Sequence, residues 1–200
     1  MTYQIRSTSH GTRDATARLA KRSSLPDGWW REMFSGGPLV GRYGFGTYRI
    51  ADCPEHRGAL FHALRSGLVN LLDTAANYTD GESEEVVGDV IRGCLDQGVR
   101  RRDELVVVSK VGHFKAAMLR ALNARAPSLP ADAVVRVSES HAYSLCPEVV
   151  STTFEQSRQR LKLACLDGYL VHDPGYLLSP GPKRLSGLPR RDRYQHLMES

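Results

Sequence analysis

A carboxylate, a phenol, an ammonium and an imidazole sit at chemically useful points of this chain: Asp73, Tyr78, Lys110 and His172. Each follows or ends a short apolar run. Leu68–Asp73 ends in the aspartate and continues as Thr74-Ala75-Ala76-Asn77-Tyr78. Leu105–Lys110 ends in the lysine, and Gly168–His172 ends in the histidine. Functional groups in parallel α/β folds gather at the carboxyl ends of strands. Singly, each residue has an ordinary explanation, such as a turn-forming aspartate or a surface lysine. Three successive apolar runs that each end in an ionisable group form a pattern.

The set suits protonation of a carbonyl oxygen. A free phenol loses its proton near pH ~10, and a nearby cation stabilises the phenolate and lowers that value. Lys110 can supply the cation, Asp73 can hold the lysine charged, and His172 can hydrogen-bond the carbonyl oxygen. Other chemistries find less support. There is no serine elbow and no Cys–His pair at a family spacing. Gly44-Phe45-Gly46 lies within a strand candidate and no third glycine follows to open a helix, so it is not a dinucleotide fingerprint. Cys53 and His56 are too few to hold a metal.

The elements that must position these groups alternate. Ser35-Gly36-Gly37-Pro38 is turn chemistry between Trp29–Phe34 and Leu39–Val40 and predicts a hairpin. Tyr43–Ile50 is the first strand candidate. A helix over Glu55–Ser66 follows, with Leu60, Ala63 and Leu64 on one face and Gly67 as its stop. After the strand Leu68–Asp73 comes a helix over Glu82–Leu95. There Val87, Val90, Ile91, Cys94 and Leu95 share a face, and the acids of the first turn suit the helix dipole. Leu105–Lys110 is the clearest strand. Residues 111–146 read as irregular, with helix potential over Ala116–Arg125. Pro147 opens a further helix with Val150, Phe154, Ser157 and Leu161 inward. Strand Gly168–His172 is the fourth. Strands apolar on both faces, alternating with helices, predict an α/β fold with a covered parallel sheet.

The segment Gly67-Leu-Val-Asn-Leu-Leu-Asp73-Thr-Ala-Ala-Asn-Tyr78-Thr-Asp-Gly-Glu-Ser-Glu84-Glu-Val-Val-Gly88 resembles the signature of the aldo-keto reductases. Gly44-Phe-Gly-Thr-Tyr48, Val106-Val-Val-Ser-Lys110 and Leu166-Asp-Gly-Tyr-Leu-Val-His172-Asp-Pro174 are similar to that family's first, third and fourth strands. The resemblance implies a catalytic tetrad of Asp73, Tyr78, Lys110 and His172. It implies a TIM-type (β/α)8 barrel, of which this chain carries about the first four strands. It also implies NADPH as cofactor, with NADH open, and Gly46, Thr47, Tyr48 and Asp73 along the nicotinamide end. Two departures stand out: Thr79-Asp80-Gly81 follows the tyrosine where many members have glycine at once, and the family's later strands, which hold most cofactor contacts, are expected beyond this chain. The expectation is therefore a truncated reductase, inactive alone. A non-catalytic half-barrel that binds a partner or its own kind is the alternative.

Composition limits the rest. The 200 residues are 41% hydrophobic and 24% charged, as in globular chains. No apolar run reaches the roughly 18 residues of a membrane span, so no membrane partner is expected. The net charge of +5 is carried by the ends: residues 1–24 sum to +4, residues 179–200 to +3, and the body to −2. A body without a basic stripe argues against nucleic acid as a partner. The expected partners are a small carbonyl or alcohol substrate and, through open sheet edges, another copy of the chain. Expected divisions are an arm and lead-in over 1–34, the half-barrel over 35–178 and a basic tail over 179–200. The arm reads as solvated, with a short helix over Thr12–Arg22. Cys53, Cys94, Cys146 and Cys165 are too widely spaced for a metal or redox motif, so reduced thiols in the cytoplasm are expected. The Arg-, Ser- and Thr-rich start also has the composition of an organellar transit peptide.

Overall fold

The computed structural model describes residues 6–21, 25–125, 128–129 and 134–174. The tail over 179–200 lies outside them. Two compact units divide the chain: one takes the described residues within Met1–Ser109 and Ser157–Tyr169, the other those within Lys110–Gln156 and Leu170–Ser200.

The first unit begins with helix α1 (Ser9–Ala20), capped by the Thr8 side chain, which accepts from the Gly11 amide. The solvated arm expected here is in fact tied down. Thr8 N donates to the Asp103 carbonyl at 3.0 Å, and Leu39 N donates to Thr12 Oγ1 at 2.9 Å. Arg18 pairs with the buried Glu104. The helix lies a few residues earlier than expected, and Gly11, Thr12 and Ala15 are buried.

Strands β1 (Trp30–Glu32) and β2 (Leu39–Gly41) form the expected antiparallel hairpin. Strand β3 is only Phe45–Gly46, far shorter than the Tyr43–Ile50 expectation, because Ile50 N turns back to the Thr47 carbonyl. Helix α2 (Pro54–Ser66) buries Leu60 and Leu64 and ends where expected, with Gly67 in the left-handed region at φ 77°. Strand β4 (Leu71–Asp73) leads through a 3-10 turn, Tyr78–Gly81, into helix α3 (Glu82–Asp96). A short 3-10 turn, Arg102–Glu104, precedes strand β5 (Val106–Val111).

In the second unit, strand β6 (His113–Lys115), helix α4 (Ala116–Arg125), strand β7 (Val135–Ser138) and strand β8 (His141–Tyr143) replace the irregular stretch expected over 111–146. The helix potential over Ala116–Arg125 is realised. The sheet around it is antiparallel, in the order β6-β8-β7. Helix α5 (Pro147–Leu161) buries Ser157 and Leu161 as expected, but in its first half Val149 and Thr153 are buried in place of the expected Val150 and Phe154. Strand β9 (Gly168–Val171) is the last element among the described residues.

The main sheet runs β3-β4-β5-β9. Its β3–β4 and β4–β5 pairs are parallel, with Gly46 opposite Asp73 and Asp73 opposite Val108. Val106, Val107 and Val108 are all buried, as parallel strands covered on both faces must be. Leu60, Leu64, Leu72, Val87, Ile91 and Val107 belong to the core that joins α2, α3 and the sheet.

Two buried charge pairs fix the first unit's register. Asp167 accepts from Ser7 N (2.6 Å), Val107 N (2.8 Å) and Arg102 (2.8 Å), with the Asp167 and Arg102 side chains both buried. Glu84, fully buried in the first turn of α3, accepts from Ser109 Oγ at 2.5 Å and pairs with Arg160 at 2.7 Å. Removing one partner of a buried pair strands the other charge and costs about 3–5 kcal/mol. Arg160→Met is therefore expected to lower unfolding stability by about that amount in urea at neutral pH. Adding Glu84→Leu should restore much of it, and equal stability of the single and double variants would contradict this.

Candidate active site

Gly46, Thr47, Tyr48, Asp73 and Tyr78 come together in the first unit. Thr47 is fully buried: its amide and its Oγ1 both donate to the Asp73 carbonyl, at 3.0 and 3.1 Å. Ser83 Oγ in turn donates to the Thr47 carbonyl at 2.9 Å. The end of β4 is thus held by residues of the β3 side and of α3. Thr47 acts here as a brace behind Asp73.

Tyr78 is buried and its ring meets that of Tyr48 edge to face, at 5.2 Å and 81°. Tyr48 itself is 67% exposed. The turn that carries Tyr78 is unusual. Thr79 (φ 49°) and Asp80 (φ 57°) are both left-handed, a conformation that L residues with a Cβ adopt at a cost. Thr79 Oγ1 donates to the Ile50 carbonyl at 2.6 Å, which offsets part of it. The Thr79-Asp80-Gly81 departure is therefore a strained turn pinned to the segment after β3. Next to Gly46 there is room: a Cβ added there would meet nothing within 4 Å.

Lys110 and His172 belong to the second unit. Lys110 lies within β5, which runs one residue further than expected, to Val111. His172 directly follows β9, and its amide donates to the Val111 carbonyl at 2.7 Å. The carboxyl ends of β5 and β9 are thereby joined beside these two residues.

The second unit also holds polar groups that sequence reasoning misses. His113 Nδ1 and His141 Nε2 are 2.8 Å apart and share a hydrogen bond. The His113 ring stands edge-on to His172 at 5.1 Å and 86°, and to Tyr143 at 4.9 Å and 82°. The Tyr143 hydroxyl donates to the His172 carbonyl at 3.3 Å. Gly112 allows this: at φ 138°, a Cβ there would lie 2.7 Å from the Tyr143 ring. The three histidines are 28 or more residues apart in sequence. No local spacing marks them, and only the register of β6 against β8 brings His113 and His141 together.

Burial, followed by the neighbouring His172 and His141, pushes His113 down to about 4. Lys115 adds to this and Asp173 opposes it. His141 is lowered by burial and by Lys115. An unfolded histidine takes up its proton near pH ~6.5. Between that value and about 4, the unfolded chain binds more protons than the folded one, so stability falls as pH falls through this window. Above it the penalty is absent. The expected result is a urea midpoint that drops between pH 7 and pH 5, with a shallower drop in His113→Phe. A variant slope equal to the parent's would remove His113 as the cause.

The model of the Aldo/keto reductase family matches residues 42–198. The methylglyoxal reductase YeaE of Escherichia coli K12 is 34% identical over 100 residues, covering 48% of this chain and 33% of that protein. The holo form of an aldo-keto reductase from Bacillus halodurans superposes with a TM-score of 0.51 at 22% identity, over 70% of this chain and 39% of that one. This likeness shows the fold: parallel β/α units of the reductase barrel. An aldo-keto reductase from Klebsiella pneumoniae, solved in complex with NADPH, is 27% identical over 70% of this chain and 38% of that one, with a TM-score of 0.44. The chain thus spans between a third and two fifths of the length of these relatives. Among the described residues, no helix is long and apolar enough to cross a membrane.

Proposed function

Since this chain belongs to the aldo/keto reductase family, we propose that it carries the proton-donating part of a site that reduces a carbonyl to an alcohol with NADPH, or runs the reverse. Tyr78 gives its proton to the carbonyl oxygen. Lys110 stabilises the phenolate left behind, Asp73 holds the ammonium, and His172 hydrogen-bonds the substrate oxygen. The reading is supported chiefly by strand order. Asp73 ends β4 and Tyr78 follows it, Lys110 lies near the carboxyl end of β5, and His172 follows β9, in a sheet ordered β3-β4-β5-β9.

The residues present fit the nicotinamide end of the cofactor. Gly46 leaves open space beside Asp73, its partner in the β3–β4 register, and the exposed Tyr48 ring borders the buried Tyr78. Thr47 serves that end through the Asp73 carbonyl it holds. When bound, the reduced nicotinamide supplies hydride to the carbonyl carbon. We assign the protein to the cytoplasm, in keeping with four free cysteines, Cys53, Cys94, Cys146 and Cys165.

The test joins residues 1–200 to the remaining length of a solved relative and supplies NADPH deuterated at C4, with methylglyoxal and short aldehydes as probes. Deuterium should arrive on the alcohol carbon. A chimera that binds NADPH yet transfers none to any aldehyde would overturn the reading. One observation favours the alternative, a half-barrel that pairs with its own kind: Leu170 and Val171 of β9, the last strand in the sheet order among the described residues, are 48% and 47% exposed.

A further inference from the structure

The catalytic reading needs His172 to present one particular ring nitrogen, and its ring packs against His113. It is half-buried, just past the end of β9, and the next residue, Asp173, turns away in the left-handed region at φ 49°. Its backbone is held twice, by its own amide to Val111 and by the Tyr143 hydroxyl at its carbonyl. Its ring meets the edge of His113. That ring is itself held by the bond to His141 and the edge contact with Tyr143.

We propose that the hydrogen-bonded pair His113–His141, with Tyr143, is a positioning device for His172 that fixes which ring nitrogen faces the substrate oxygen. This rests on the reading of His172 as the residue that meets the carbonyl. His113 and His141 are positioning residues, since they act through His172. The two nitrogens of an imidazole differ in donor and acceptor roles, and the ring contact with His113 acts on the orientation of the His172 ring and so on which nitrogen is presented. In the His113–His141 pair one nitrogen must donate and the other accept, so the bond exists only while the two rings are not both protonated at these atoms. The environment favours that state. Burial and His172 act on His113, and burial and Lys115 act on His141, all against the charged form, with Asp173 opposing at His113. His113 therefore meets His172 as a neutral ring near pH 7, without charge repulsion. The antiparallel sheet β6-β8-β7 is what brings the device together. His113 stands opposite Tyr143 and Lys115 opposite His141, so both histidines project from adjacent strands toward one side of the pair.

The experiment labels the histidines of the 200-residue chain with ¹⁵N and follows the long-range ring correlations from pH 8 to pH 4. The parent should show His172 in one tautomer near pH 7. His113→Ala should give averaged ring shifts for His172, with unchanged circular dichroism. His113→Phe, which keeps an aromatic edge but loses the bond to His141, should keep more of the tautomer preference. Should His113→Ala not fold, His141→Leu removes only the partner of His113 and should loosen both rings. Unchanged His172 ring shifts in a folded His113→Ala or His141→Leu chain would overturn the proposal. In the chimera, His113→Ala should lower kcat/KM by about 10–100-fold, the scale of a misplaced reacting group, with NADPH binding retained. A loosened His172 ring with unchanged kcat/KM would support the positioning device and overturn the assigned role of His172. The two failures are thus separable.

Discussion

Tyr78→Phe, in the chimera that completes the barrel, is expected to lower kcat for carbonyl reduction by about 10²–10⁴-fold, the usual contribution of a positioned acid. NADPH affinity should stay essentially unchanged. The substitution removes one oxygen and keeps the ring. The buried ring, which the substitution keeps, packs edge to face against Tyr48, and Thr79 ties the strained turn after it to the Ile50 carbonyl. Folding and cofactor binding therefore have little reason to respond. A loss confined to kcat marks an interaction made in the transition state and not in the ground state. Stopped-flow measurement of NADPH oxidation, with cofactor fluorescence for binding, separates the two. A Phe variant as fast as the parent would remove Tyr78 as the acid. A variant that lost cofactor binding in proportion would reassign it to the pocket wall.

The strand-end positions of Asp73, Lys110 and His172 are legible in the sequence because parallel strands announce themselves. Val106-Val-Val is apolar on both faces, and a residue just past such a run lies at the functional end of the sheet. Helices α2 and α3 are legible for a related reason: an apolar stripe, a glycine stop at Gly67 and acids in a first turn are all local signals. The hidden features are non-local. Strands β6, β7 and β8 are three or four residues each, too short for alternation to show, and β6 pairs with β8 across about thirty residues of chain. The His113–His141 contact exists only in that register. Glu84 reads as a dipole-complementing acid in a first turn, yet it is fully buried because Arg160, 76 residues on, reaches it. The anchoring of α1 is hidden in the same way, since Thr12 and Arg18 look like ordinary arm residues until Leu39 and Glu104 are beside them. The first half of α5 departs by one residue from its apolar pattern, since Val150 and Phe154 are apolar while Val149 and Thr153 take the buried positions; Ser157 and Leu161 are buried as the pattern has them. Thr153 is satisfied there by the Val149 carbonyl at 2.8 Å, so a polar side chain can take a core position.

The 200-residue chain by itself is expected to show no measurable reductase activity and to self-associate. Among the described residues its sheet ends in β3 on one side and β9 on the other. A parallel barrel closes only when its last strand pairs with its first, and unpaired strand edges recruit other chains. Leu170 and Val171 are about half exposed on one of these end strands, and Tyr48 is exposed beyond the other. Binding meets a parallel difficulty. On the proposed reading, Gly46, Thr47, Tyr48 and Asp73 address only the nicotinamide end of the cofactor. Their interactions alone must offset the several kcal/mol that association costs in lost freedom. The chain covers 39% of the Bacillus halodurans enzyme it superposes on, so most of that enzyme's length has no counterpart here. Light scattering of the purified chain should report a mass above 22.2 kDa that rises with concentration, and NADPH titration followed by fluorescence should show no saturable binding at micromolar levels. Replacing Leu170 and Val171 by lysines should lower the associated fraction, since charge on an edge strand blocks pairing. Joining the chain to the remainder of a relative should remove the association and bring NADPH binding. A 22.2 kDa monomer that binds NADPH and turns over an aldehyde would show that β3, β4, β5 and β9 suffice to hold the cofactor without the rest of a barrel.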